Sequence, residues 1–267
     1  MFSERPKVNI LWTGGWDSTF RVLQLAGKDI IIQPYYLKDD ERKSQQIELD
    51  TIKMLTREIL SQKSTLCQIR NVRTLYLNDR DIPVDTEISE AYASLKNKCW
   101  FGGQYVWFAR LAKEIKNLEL NVHTDDKALG AINAFGRVIE MDNEKIGPYY
   151  TLDTLNSSKE LSVLFGRFRF PLLRYTKLDM KKEAEEHGFI DIMNKTWFCH
   201  RPVNNEPCGS CNPCVYTIDE GLAYRLSKAA MRRYKRRKYA TIPRQILVSL
   251  GLTSVIDKIR KIAYPIV

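Results

Sequence analysis

Apolar residues gather first at Val8, Ile10 and Leu11, stop at the stretch WTGGWDS, and resume in TFRVLQLA with Phe20 and Leu23 on one face. That change of period predicts a buried strand, a tight turn and a helix beginning near Ser18. The run IIIQPYYL over 30–37 predicts a second strand, and the strand–helix–strand order makes the two parallel. A polar stretch then opens into an amphipathic helix with apolar positions at Ile47, Ile52, Leu55 and Ile59. A short strand is predicted over 72–77, one helical region over 91–118 carrying Val106, Leu111 and Ile115, and a further strand over 120–123 whose exit is HTDD. Residues 127–163 show no clear period and read as an excursion on the substrate side. FRFPLLRYTK predicts a short strand and a loop at 174–177, followed by a charged helix that Gly188 ends. After a cysteine-rich stretch, helix is expected from about Ile218 through MRRYKRRKYA, then Pro243 and the apolar segment ILVSLGLTSVIDKI. The alternation of strands and helices predicts an α/β fold with a parallel sheet. It divides into a main domain over 1–217, which includes a cysteine segment at 196–217, and a basic helical extension over 218–267.

With 267 residues, 44% hydrophobic and 28% charged, the chain can bury a large α/β core, and no run approaches the roughly 18 apolar residues that cross a bilayer. The start MFSERPKVNI carries an acidic residue and a proline where a secretory signal needs an apolar run, so a cytoplasmic protein without a membrane span is expected. The net charge is +10, and six of the basic side chains fall in RRYKRRK at 232–238; without them the rest carries +4. A local patch of this kind suits a nucleic acid, an anionic membrane surface or an acidic protein. The apolar segment after Pro243 adds a surface for contact with the main domain or a second subunit, so a homodimer is among the expectations.

The turn at 13–19 lacks the Lys-Ser or Lys-Thr pair of a nucleotide-triphosphatase P-loop and the third glycine of a dinucleotide fingerprint. Gly14 and Gly15 instead allow a close backbone approach, and the amides of the first helical turn point at whatever anion sits there. Thr13 and Ser18 can bond phosphate oxygens, and Asp17 can hold Mg2+ or orient the amides. Late in the chain, CHRPVNNEPCGSCNPC confines Cys199, Cys208, Cys211 and Cys214 to sixteen residues. Four thiolates at this spacing fit a closed tetrahedral Zn2+ site of structural character, and an iron–sulfur cluster uses the same donors. His200, beside Cys199, is an alternative ligand. Cys67 and Cys99 have no histidine base nearby in sequence and read as inert thiols.

The segment from Leu11 to Thr19 resembles the signature loop of the PP-loop ATP pyrophosphatases, with Thr13 replacing the usual serine and keeping its hydroxyl. Pro171-Leu172, Thr176-Lys177, the charged helix, Thr196-Trp197 and the cysteine run together resemble the carboxy-terminal half of the 7-cyano-7-deazaguanine synthase family. The matching stretches, 8–25 and 170–222, cover about half the chain, with a weaker likeness near Glu48. This resemblance implies an adenine nucleotide alpha hydrolase-like, Rossmann-like fold and the cofactors ATP, Mg2+ and Zn2+. It implies that Thr13, Gly14, Gly15, Trp16, Asp17, Ser18 and Thr19 hold the nucleotide, with Asp17 and Lys177 as catalytic residues. The implied reaction belongs to queuosine biosynthesis. ATP activates a heterocyclic carboxylate, 7-carboxy-7-deazaguanine, as an adenylate; ammonia gives the amide, and a second activation gives the nitrile.

The centre of the chain departs from that family. In place of a Gly-Arg-Asn segment it has CWFGGQYVWFARLAK over 99–113 and LNVHTDD over 120–126. Trp100, Phe101, Tyr105, Trp107 and Phe108 are available to stack a heterocycle, with core packing the plainer use of each. Asp125 and Asp126 fit either a ligand-facing strand exit or a turn and a cap, and Glu48 fits a solvated helix face. Two other functions are compatible with the same motifs. One is an adenylating enzyme that transfers a deazaguanine-like acyl group to a protein or nucleic-acid acceptor. The other is a nucleic-acid or protein-binding module with a non-catalytic loop. RNA thiolation is disfavoured, since Cys67 and Cys99, the cysteines outside the cluster, form no obvious catalytic pair.

Overall fold

The computed structural model describes residues 5–39, 42–78 and 80–249, the last ten by their backbone. The elements run β1 (Lys7–Leu11), α1 (Trp16–Ala26), β2 (Ile31–Lys38), α2 (Gln45–Ser61), β3 (Gln68–Ile69), β4 (Arg73–Tyr76), α3 (Thr86–Lys96), α4 (Gln104–Glu114) and β5 (Leu118–Glu119). They continue through α5 (Lys127–Phe135), β6 (Val138–Met141), β7 (Tyr149–Leu152), α6 (Lys159–Phe165), β8 (Phe168–Arg169), α7 (Lys177–Glu186), α8 (Ile190–Asn194), α9 (Asn212–Thr217) and α10 (Lys228–Ser249).

The fold is α/β, with a PP-loop-like parallel sheet in the order β3-β2-β1-β5-β8 and β4 also paired to β2. Strand β2 contains a proline, which cannot donate to a ladder. Pro34 stands where the outer partner changes, since β3 pairs with Ile31 and Ile32 while β4 pairs from Tyr35 onward. The Gln33 amide fills the gap by donating to the Asn71 carbonyl at 3.1 Å. From β1 the chain winds outward to β2, then returns to place β5 on the other side of β1. Open α/β sheets form their crevice at such a reversal, beyond the carboxyl ends of the strands.

Two hydrophobic clusters flank the sheet. One contains Phe101, Tyr105, Phe165, Phe168 and Phe170, the other Trp12, Trp16, Phe20, Leu25 and Tyr36. A third, smaller cluster gathers Cys199, Cys208, Cys214, Leu226 and Ala230. The helical region expected over 91–118 is two helices, α3 and α4, separated by a turn through Cys99–Gly103; Phe101 is buried there against Tyr92, Tyr105 and Phe165. The strand expected over 120–123 pairs two residues earlier, as β5. The stretch 127–163 is ordered as α5, the β6–β7 hairpin and α6. The apolar segment expected after Pro243 lies outside the described side chains and, from residue 250, outside the described residues. Among the described residues no helix is long and apolar enough to cross a membrane.

One buried ion pair ties α1 to β5. Arg21 donates from Nε and Nη2 to the two Glu119 oxygens at 2.8 Å each, and from Nη2 to the Ile146 carbonyl at 3.0 Å, with both side chains almost inaccessible. Removing one member strands the other's charge away from water. Glu119→Ala is therefore expected to destabilise the fold by about 3–5 kcal/mol in urea unfolding, and the paired replacement Arg21→Met with Glu119→Leu by distinctly less.

Candidate functional site

The site begins at the turn between β1 and α1. Gly14 has φ +71°, a left-handed conformation that favours glycine, and an added Cβ would lie 3.1 Å from the Thr51 methyl and 3.4 Å from the Glu48 carbonyl. Gly15 is extended, with φ −79° and ψ 171°, and precedes the first helical residue, Trp16. The first intrahelical bond is Thr19 N–H to the Gly15 carbonyl at 3.1 Å, so the amides of Trp16, Asp17 and Ser18 open the helix without helical acceptors. They form the positive end of α1, at the carboxyl end of β1.

Residues from four later segments meet this turn. Lys177, the first residue of α7, bonds the Asp17 carboxylate and lies 3.9 Å from Glu220. His123, beyond β5, places Nε2 4.0 Å from the other Asp17 oxygen. Tyr105 on α4 donates to Asp126 at 3.0 Å, and Asp126 caps α5 through the Ala128 amide. Burial acts to raise the Asp17 carboxyl, but the charges of Lys177 and His123 more than offset it and hold it below the ordinary carboxylate range. Glu220 is pushed up to about 7, by burial first, with Asp17, Asp125 and Asp126 adding to the shift against the opposing pull of Lys177. One carboxylate beside Lys177 is thus held ionised while its neighbour titrates near neutrality. Arg225 closes the back of the turn, its guanidinium between the rings of Trp16 at 4.9 Å and Phe198 at 4.8 Å and bonded to Thr196 Oγ1 at 2.7 Å.

The cysteines form the adjoining wall. The Sγ atoms of Cys199, Cys208, Cys211 and Cys214 lie within 4.8 Å of one another. Three of the separations are 3.8, 3.8 and 3.4 Å, near the edge of about 3.8 Å that four sulfurs at about 2.3 Å from one ion define. Backbone amides already face the sulfurs, from Cys208 to Cys199 at 3.2 Å and from Ser210 and Cys211 to Cys208 at 3.3 and 3.2 Å, as metal-bound thiolates require. The donor set, its burial and this N–H···S shell fit Zn2+. Gly209, at φ +74°, passes so close to α10 that a Cβ would fall 2.1 Å from the Ala230 carbonyl. From α10, Arg233 donates to the Cys208 carbonyl at 2.7 Å and the Pro207 carbonyl at 3.3 Å, and Arg237 bonds the Ser210 carbonyl. The cysteine module joins the glycine turn directly, through the Trp197 amide and the Gly14 carbonyl at 2.9 Å.

Between these walls lies a cleft of about 1030 Å³. Thr13, Gly15, Trp16, Asp17 and Lys177 line it. Gly14, Ser18 and Thr19 stand behind it; Ser18 Oγ is 3.5 Å from the Gly15 carbonyl, and the buried Thr19 hydroxyl accepts from the Trp12 indole at 2.9 Å. Glu48 is not on a solvated helix face. It is buried, accepting from the Tyr36 hydroxyl at 2.8 Å and the Ser44 hydroxyl at 2.6 Å. Of the aromatic residues in the 99–113 segment, Phe101 and Tyr105 are core, Trp107 and Phe108 pack against it, and Trp100 stands 63% exposed at the cleft. His123 and Arg225 carried no local signal in the sequence. An Asp-Glu pair shortly after a metal-binding run was the one cue to Glu220.

No protein-family model matches the chain, and no curated protein does. Among solved structures, a 4-thiouridine synthetase–RNA complex with bound ATP is similar over 86% of this chain and 53% of that one, at 14% identity and a TM-score of 0.39. The chain spans about half the length of that protein.

Two outcomes follow from this geometry. Cys211→Ser is expected to lose bound zinc and to lower the unfolding midpoint by roughly 5–15 °C, measured by metal analysis and calorimetry. Glu220, raised from 4.5 to about 7, holds an extra proton in the folded state between those values, so its stabilising contribution is present below pH 4.5 and lost as the pH rises through 7. Glu220→Gln should therefore gain in melting temperature relative to the wild type between pH 5 and pH 8.

Proposed function

We propose that this chain is a PP-loop enzyme that cleaves ATP between the α and β phosphates to activate a small carboxylate as an adenylate. The observation that carries the proposal is the glycine turn opening α1 at the sheet's switch point, with Lys177 and Asp17 at its mouth and the cysteine module bonded to its carbonyl. The first-turn amides suit the pyrophosphate oxygens, and the turn admits them because Gly15 adds no side chain between Thr13 and Trp197. Lys177 offers a point charge for the phosphoryl oxygens that gain charge as the bond to the leaving group breaks. Asp17 is the residue that would hold Mg2+, which supplies further neutralisation of the phosphates. The substrate carboxylate oxygen attacks the α phosphorus, the α–β bridge breaks, and pyrophosphate departs with the electron pair. Positioning and electrostatics suffice for that step, without a protein nucleophile.

The substrate favoured by the resemblance of 8–25 and 170–222 is 7-carboxy-7-deazaguanine or a close analogue, with ammonia as the acceptor and the amide and nitrile as products. Exposed Trp100 at the cleft gives a flat heterocycle a ring to stack on. Transfer of the activated acyl group to a macromolecular acceptor is the second proposal, favoured by the basic side chains Arg201 and Arg237 on the cleft lining.

Zinc-loaded protein incubated with Mg-ATP, 7-carboxy-7-deazaguanine and ammonium is expected to form AMP, pyrophosphate and the nitrile, identified by mass spectrometry. Pyrophosphate with an accumulating adenylate would instead favour the macromolecular acceptor, and no pyrophosphate release with any heterocyclic carboxylate would refute activation. Lys177→Met is expected to lower kcat by about 10²–10³.

A further inference from the structure

Five of the six basic residues of 232–238 divide between two jobs, and Lys238 lies over the Tyr234 ring. Arg233 and Arg237, one turn apart on α10, are spent on the carbonyls of the cysteine loop. Arg232, Lys235 and Arg236 face solvent, and Tyr239 extends the same stripe at 67% exposure. The spacing i, i+3, i+4, i+7 keeps these four side chains on one face of the helix. No hydrogen bond or ion pair with the described residues engages the three cations. On the neighbouring face of the same helix, Arg237 holds Ser210 and lines the cleft, where Arg201 and the exposed ring of Trp100 also stand.

We infer that this stripe and the adjoining cleft rim bind a single-stranded nucleic acid whose end enters the cleft. Repeated cations along a rigid helix match a repeated phosphate, with Arg232 and Arg236 about 6 Å apart along the axis. The exposed rings of Tyr239 on the stripe and of Trp100 at the cleft offer stacking faces to unpaired bases, which a duplex keeps covered. An acidic peptide would use the cations but neither ring. A membrane surface calls for a row of apolar side chains on the binding face, and the described part of this stripe presents Tyr239 alone. Binding on the stripe does not depend on which carboxylate the cleft activates.

The test uses the full zinc-loaded chain and a fluorescein-labelled 12-nucleotide single-stranded RNA, titrated by anisotropy across a range of NaCl concentrations, with single-stranded DNA of the same sequence as a parallel arm. The triple variant Arg232→Gln, Lys235→Gln, Arg236→Gln is expected to weaken binding by roughly 30-fold at low salt and to reduce the slope of log affinity against log salt by about 2. Its zinc content and melting temperature should match the wild type, since Arg233 and Arg237 are retained. Tyr239→Ala and Trp100→Ala should each weaken binding by roughly 5-fold or more with the salt slope unchanged. Unchanged affinity and slope in the triple variant would overturn the assignment. So would a 12-residue polyglutamate peptide or phosphatidylserine vesicles binding as tightly as RNA with no effect of the ring substitutions. The triple variant should still form AMP from small substrates, so failure of activation and failure of strand binding are separately visible.

Discussion

The carbonyl of Gly14 accepts the Trp197 amide, and it can do so because Gly14 adopts a left-handed conformation that turns its carbonyl away from the path of β1. A side chain at that position would meet both the strained φ and the Thr51 methyl. Through this bond the turn that opens α1 and the module that carries the cysteines are joined as adjoining walls of the cleft. Arg225, between Trp16 and Phe198, reinforces the same junction from behind. The cysteine module is seated in turn on α10, by the close passage of Gly209 and the two arginine contacts. A metal held by the four sulfurs would thus fix the glycine turn at a distance, by stiffening the segment that bonds to it.

Charge in the cleft is arranged to the same end. Asp17 is kept ionised by Lys177, and Glu220 titrates near neutrality beside the same ammonium, so the site carries less negative charge than its carboxylates suggest. That would favour the proposed binding of an anionic phosphate group there. The ion pair of Arg21 and Glu119 lies deeper and keeps α1 in register with β5, so that the two strand exits supplying Asp17 and His123 face each other.

Much of this was legible in the sequence where local pattern and local chemistry coincide. The change of period after Leu11 placed β1 and α1, and Gly188, at φ +73°, ends the charged helix as its position suggested. The spacing of the cysteines foretold a cluster because two short turns bring three of them together whatever the rest of the chain does. Features that depend on distant partners were hidden. A buried glutamate such as Glu48 reads like a solvated one until Tyr36 and Ser44 are seen around it. The split between α3 and α4 falls at Gly102-Gly103, a helix-breaking pair inside the aromatic run 100–108, and burial of Phe101 holds the chain in that turn. Strand β5 is only two residues long, too short for alternation to reveal. The tract 232–238 likewise looked uniform, and only the packing of α10 separates the arginines that hold the cysteine loop from the cations that face solvent.

If, as proposed, the amides at the head of α1 cradle pyrophosphate, the protein binds Mg-pyrophosphate at equilibrium, which calorimetry measures. Gly15 is extended and open to other residues, so Gly15→Asp can fold while adding bulk and negative charge between Thr13 and Trp197. The account predicts measurable binding to the wild type and its loss in Gly15→Asp, with zinc content and melting temperature retained. Equal binding by the two proteins would contradict it.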